Sequence, residues 1–387
     1  MVLVSRLLFG AALAGAFLSL YIARLELCEP PHRLGVTVVA SFFWIAGELL
    51  LPGLAVLCRD WRVLQGAVTM VLALVAALWW CPVLLLESPR WLLATRQLDR
   101  ARDTLKALGQ GSGSEHGSGH QQSLCPELQS LCEGSPQPQY HSVCDIFNTH
   151  IIWRNSVILG FTAFIGSGIH YCFTRNLEPH LPHFFSSYFT LVGTEATACI
   201  FIFLTAERFG RRAVLLLCTV LTGICSLLLL ALTQYLLEFI VLTLSVVGIT
   251  TSHAVTMLSI FFASEILPTV VRGAGLGLSV GASFVGKATA PITAIPNSHG
   301  FFLRHILFAS FTILSILSIM LLPESQGHSL PQTLEDGDRE RHPPLFHQPP
   351  HEDHMPLLAG PGSQHNYSNL TPSTTSETGS TVTPHEI

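Results

Sequence analysis

Charge is what this sequence has least of. Asp, Glu, Lys and Arg supply 12% of its 387 residues, about half the share in an ordinary soluble domain. A water-soluble globule of this length does not leave its surface so bare. Basic residues are scarcer than acidic ones, 20 against 25, the net charge is −5, and no dense basic block occurs, so a nucleic-acid partner is excluded. Ten cysteines are present, but none forms a C-x-x-C pair, so neither a zinc site nor a disulfide framework is indicated. Histidines scattered over 116–120 and 342–354 fit no ligand spacing. No nucleophile–base set and no phosphate loop stands out. The sequence therefore argues against an enzyme and predicts no metal and no cofactor.

What is present is apolar sequence, 49% of the chain. A bilayer core of about 30 Å takes about 20 mostly apolar residues per helix. Stretches at roughly 3–25, 35–58, 63–86, 152–173, 184–206, 212–233, 236–263, 273–295 and 301–322 meet that requirement. The sequence thus predicts an all-α membrane protein with nine transmembrane helices. Its parts are a partial N-terminal bundle at 1–86, a central loop at 87–150, a six-helix bundle at 151–323 and a disordered tail at 324–387. The loop is rich in Gly, Ser, His and Gln, and the tail in Pro, His, Ser and Thr, with no apolar periodicity in either.

The positive-inside rule orients the chain. With the N-terminus outside and the C-terminus cytosolic, only Arg6, Arg59, Arg62, Arg175 and Arg304 lie outside. Lys287 lies within a helix, and the rest of the 20 basic residues lie inside. An internal repeat is also visible. Glu26 and Arg33 are seven apart with Pro30 between them, and so are Glu265 and Arg272 with Pro268 between them. Glu87-Ser-Pro-Arg90 closes the third run as Leu322-Pro-Glu324-Ser closes the ninth. The two markers recur at nearly one offset, which argues for a duplicated six-helix unit. Three helices precede the second copy of the first marker and none precedes its first copy. The expectation is therefore a twelve-helix plan of which this chain carries helices four to twelve.

Those motifs resemble the organic cation/anion transporter family (solute carrier 22-like) of the major facilitator superfamily, and Arg208-Phe-Gly210-Arg211-Arg212 adds to the likeness. Gly168-Ile-His170-Tyr-Cys172 is similar to the family's atypical orphan branch, and so is the tail around Asp353. The resemblance covers residues 1 to about 330. It implies a major facilitator-type bundle of two six-helix halves carrying a small organic ion across a lipid bilayer. It further implies a cytoplasmic gate of Glu207, Arg208, Gly210, Arg211, Arg212, Glu265, Pro268, Arg272, Glu26, Arg33, Glu87 and Arg90. The family's loop motif usually opens with Asp, where this chain has Glu207.

An ionisable group at membrane depth is costly and is a functional candidate by default. Lys287 lies fifteen residues past Arg272, about 22 Å along a helix. In the resembled family the position that reads substrate charge is twelve past this Arg. Here that is Phe284, with Lys287 about one turn further along nearly the same face. Glu48 and Glu195 are buried carboxylates, one in each half. His170 and His253 are candidates for titration near neutral pH or for plain hydrogen-bonded structure. Trp44, Phe161 and Phe284 are candidates to line an aromatic cavity. A positive Lys287 favours organic anions over cations. A transporter-fold receptor or a transport-inactive truncated form is the alternative. The receptor reading leans on Asp353, Leu357 and Leu358, an acidic dileucine pattern of the kind a clathrin adaptor grips, which would place the protein at the plasma membrane or in endosomes.

Overall fold

A computed structural model describes residues 2–28, 30–78, 87–95, 97, 99–104, 144–177, 183–232, 238–291, 300–327 and 330–331. Its long helices are α1 (Val2–Leu27), α2 (Arg33–Cys58), α3 (Trp61–Leu78), α6 (His150–Leu177), α7 (Phe184–Phe209), α8 (Arg211–Leu232), α9 (Glu238–Ile266), α10 (Arg272–Thr289) and α11 (Gly300–Ile319). The short helices α4 (Pro89–Ala94) and α5 (Asp145–Asn148) flank the central segment. Each predicted apolar run thus carries a helix, but among the described residues only six helices are long and apolar enough to cross a membrane. The apolar stretches Trp61–Ala77 and Ala309–Ile319 are shorter. In α10, Gly273, Gly275, Gly277, Gly281, Gly286 and Lys287 hold hydropathy down. The fold is an all-helical membrane bundle, and the count of nine crossing helices is not confirmed.

Local chemistry sets where the helices stop. Pro30 and Pro31 follow α1 in a single 3-10 turn, because proline lacks the N–H that would continue the ladder. Arg59 ends α2 at φ 48°, with its N–H returning to Ala55 O. Ser88 caps α4, accepting from Trp91 N at 3.3 Å, with Pro89 at the first helical position. Pro268 separates α9 from α10 as the sequence predicts, and Thr269 N donates to Pro331 O at 3.0 Å beside it.

In lipid no hydrophobic drive separates one helix face from another, so close packing and hydrogen bonds between helices carry assembly. α6 sits centrally against α9 and α10, while α8 packs on α9 and α11. At the α6–α10 crossing, a Cβ on Gly286 would collide with Phe164 O and Ser167 Oγ. Only glycine permits that approach, which lets Ser167 Oγ donate to Ser283 O at 2.6 Å. Ser315 Oγ meets Thr162 Oγ1 at 3.1 Å, and Thr222 Oγ1 meets Thr251 Oγ1 at 3.0 Å. Bonds of this kind contribute about 0.6–1.7 kcal/mol each in membranes. The N-terminal helices reach this unit through α1 on α10 and α2 on α7. Tyr21, Leu25, Leu34 and Val38 share one buried cluster with Leu258, Phe261, Phe262 and Leu276.

Candidate functional site

Two groups of charged side chains stand out at different depths. The first gathers where α1 ends, α2 begins and the α7–α8 and α9–α10 junctions meet. Arg272 Nη1 binds Glu26 Oε1 at 2.6 Å, with side-chain exposures of 0% and 2%, and Arg272 Nε donates to Leu267 O at 3.2 Å. Arg211 Nε lies 3.3 Å from Glu265 Oε2, which also accepts from Ser325 Oγ at 2.7 Å. Arg33 is buried, and Glu265 is the charge that attracts it most strongly. Arg90 is near enough for its charge to act on both Arg33 and Arg272. The two copies of the Glu–Pro–Arg motif are therefore cross-linked: Glu26 of the first pairs with Arg272 of the second, while Glu265 pairs with Arg211 and its charge also reaches Arg33. The cross-link ties α1 to α10, and sequence spacing alone, which places Glu and Arg of one copy side by side, does not reveal it.

The α7–α8 turn is built around a carboxylate. Glu324 accepts from Arg211 N at 2.9 Å and Arg212 N at 3.1 Å, satisfying two of the free amides at the start of α8 and placing negative charge at its positive end. Gly210 makes this possible at φ 89° and ψ 157°, a conformation essentially reserved for glycine. A Cβ there would lie 2.8 Å from the Glu324 carboxylate. Arg212 donates from Nη2 to Met320 O. Glu207 and Arg208 point outward instead; of Glu207, the main-chain oxygen is what Gln326 binds. Glu87 pairs with Arg100 at 3.5 Å on an exposed surface, a contact worth little. Of the predicted gate residues, Glu26, Arg33, Arg211, Arg212, Glu265 and Arg272 thus converge in buried positions. Asp353, Leu357 and Leu358 lie outside the described residues.

The second group lies at mid-helix. His170 on α6, Glu195 on α7 and His253 on α9 each offer a donor atom, and these atoms lie within 4.8 Å of one another. His253 Nδ1 is 3.8 Å from Glu195 Oε1, and the two imidazole centroids are 5.7 Å apart. The Glu48 carboxylate on α2 comes within hydrogen-bonding reach of Glu195. Glu48 also accepts from Trp44 Nε1 at 2.8 Å, and its main-chain oxygen accepts from Tyr188 Oη at 2.7 Å. Lys287 on α10 is exposed, and its charge reaches His170, His253 and Glu195. Phe284 is 59% exposed, whereas Phe161 packs edge-on against Phe311 at 6.1 Å. Five of the six residues read from sequence as a substrate site, namely Lys287, Glu195, Glu48, His253 and His170, are neighbours, contributed by α2, α6, α7, α9 and α10. Sequence separation hid their convergence. The histidines are 83 residues apart, and only the packing of α6 on α9 brings them together.

The family described as "Sugar (and other) transporter" matches residues 1–335. Solute carrier family 22 member 17 of Mus musculus is 41% identical over 362 residues, covering 92% of this chain and 90% of that protein. Solute carrier family 22 member 23 of Homo sapiens is 36% identical over 382 residues, covering 93% of this chain and 54% of that protein. The chain therefore spans about half the length of that human relative. Among solved structures, the major facilitator proton:xylose symporter XylE has a TM-score of 0.59 at 18% identity, covering 80% of this chain and 68% of that one, a likeness of fold.

Proposed function

The chain belongs to the solute carrier 22 family within the sugar (and other) transporters, and from that premise we propose that it carries organic ions, anions favoured, by alternating access. It is a multi-pass membrane protein, and family members of this kind are not enzymes. The observation that carries the finer reading is Lys287. It is an exposed cation on a helix within the bundle, one turn from an exposed Phe284, and its charge acts on a cluster supplied by both parts of the chain. An ammonium at membrane depth is held there at a cost. Attraction to the charge of an anionic ligand offsets that cost, and Phe284 offers an apolar face to an aromatic body.

The buried pairs at the other depth supply the gate. Glu26–Arg272 joins α1 to α10, so the two parts of the bundle cannot separate at this end while the pair persists. With the N-terminus outside and the C-terminus cytosolic, that end faces the cytosol, and a persisting pair holds the carrier closed inward. Opening inward requires the pair to break. Glu26 Oε2 and Arg272 Nη2 have no hydrogen-bond partner among the described residues, so the pair is held by one contact rather than two. A latch of that kind is easier to release than a bidentate one.

Selectivity tests the proposal. Cells displaying the chain at their surface should accumulate labelled aromatic carboxylates, and excess unlabelled organic anions should suppress that uptake at least about tenfold, the effect of about 1.4 kcal/mol of binding. Quaternary ammonium compounds should leave it unchanged. Suppression by the cations alone would reverse the preference, and surface-exposed protein that moves neither class would remove the carrier reading.

A further inference from the structure

The His170–Glu195–His253 cluster has a property that handling of an organic anion does not explain. His170 Nε2 is buried and has no hydrogen-bond partner among the described residues. A buried polar atom left unpaired is costly, and in a bundle within lipid there is little water to relieve it. Such an atom calls for a cause, and an ion is one of the few available. The surrounding atoms are of the right kind. His253 Nδ1 and Glu195 Oε1 are too far apart, at 3.8 Å, to hydrogen-bond to each other. A tetrahedral zinc-type ion with bonds of about 2.0–2.2 Å holds its ligand atoms about 3.3–3.6 Å apart. The 3.8 Å pair is close to that spacing, and all three donor atoms lie within 4.8 Å of one another.

We propose that His170, His253 and Glu195 form a binding site for a divalent transition-metal ion of zinc type, leaving the fourth coordination position open. Two imidazoles and one carboxylate suit zinc better than calcium or magnesium, which take oxygen ligands. The surrounding charge is compatible with the ion. Glu48 adds a second carboxylate beside Glu195, and Lys287 adds one opposing cation. A bound divalent cation favours the ionised form of both carboxylates, which together outweigh the one ammonium. Lys287 therefore weakens the site without abolishing it.

Binding can be read without transport, so the inference stands or falls apart from the carrier reading. The full chain is purified in detergent through a tag without histidine, and Zn²⁺ is titrated by equilibrium dialysis against wild type and a His170→Ala/His253→Ala variant. The other histidines contribute equally to both proteins, so the site appears as the difference between them. Wild type should bind one more equivalent than the variant. Glu195→Gln should weaken that equivalent about tenfold to 100-fold, and Lys287→Ala should tighten it. On wild type alone, Co²⁺ should give the strong visible absorption of a four-coordinate ion, displaced by Zn²⁺. That arm does not depend on the variants folding. Equal zinc uptake by wild type and the double variant, or no four-coordinate cobalt spectrum on wild type, would overturn the proposal.

Discussion

Replacing Arg272 with Ala should lower the stability of the folded bundle by about 3–5 kcal/mol, the usual effect of removing one partner from a buried ion pair. The loss comes less from the attraction than from what remains. Glu26 would stay buried with its counter-ion gone and with Oε2 already unpartnered among the described residues. Burial of an isolated carboxylate is far costlier than burial of a neutral group. Arg272 also donates to Leu267 O, so the turn between α9 and α10 loosens in the same step. Glu26→Gln should also cost stability, because it leaves the fully buried Arg272 guanidinium without a counter-charge and arginine cannot neutralise by losing a proton. The double variant Glu26→Gln/Arg272→Ala should recover part of the loss, since it leaves neither charge stranded. Thermal unfolding of the four proteins in one detergent measures this as a double-mutant cycle. Strictly additive losses would mean that the two side chains do not act as a pair.

Removing the Lys287 ammonium should reduce uptake of organic anions by about tenfold or more while leaving the amount of protein at the cell surface unchanged. Only about 1.4 kcal/mol of lost attraction is needed for a tenfold effect. A unit charge a few ångströms from an anion exceeds that at the effective dielectric of a protein site, even after discounting for exposure. Lys287→Arg keeps the charge but spreads it over a planar fork with different reach, so part of the uptake should return. The exposed position of Lys287 separates this outcome from a folding failure, because truncation to Ala there leaves no cavity. Unchanged uptake in Lys287→Ala would assign the residue to outward-reaching structure.

The helices were legible because apolar run length in lipid is a direct physical requirement, and each run carries a helix. Crossing length was less legible. Glycines and Lys287 in α10, and the short apolar stretch within α11, blur what counts as a span. The gate residues could be named from their motif, but the pairing could not. Glu26 and Arg272 are 246 positions apart, and only the α1–α10 contact joins them. Glu324 was visible as part of a motif, yet its role in capping α8 follows from the path of the chain through Gly210, which spacing does not reveal. The cluster at depth was legible residue by residue, because buried ionisable groups are rare. Its character as a set of metal-compatible donors was not, since no short C-x-x-C or H-x-x-H spacing links helices α6, α7 and α9. Glu207 and Arg208 show the converse case. Both sit in the motif, and both point outward.

The central claim is that this chain moves organic ions across a bilayer, and counterflow in proteoliposomes tests it most directly. Purified protein is reconstituted into vesicles preloaded with an unlabelled aromatic carboxylate, and entry of a trace of the labelled compound is followed over time. A carrier that alternates between its two faces exchanges internal for external substrate, so the label should rise transiently above equilibrium, and it should do so only in preloaded vesicles. Lys287→Ala vesicles should show at most about a tenth of the overshoot. Label entry identical in preloaded, empty and protein-free vesicles would contradict the account and leave a transporter fold put to another use.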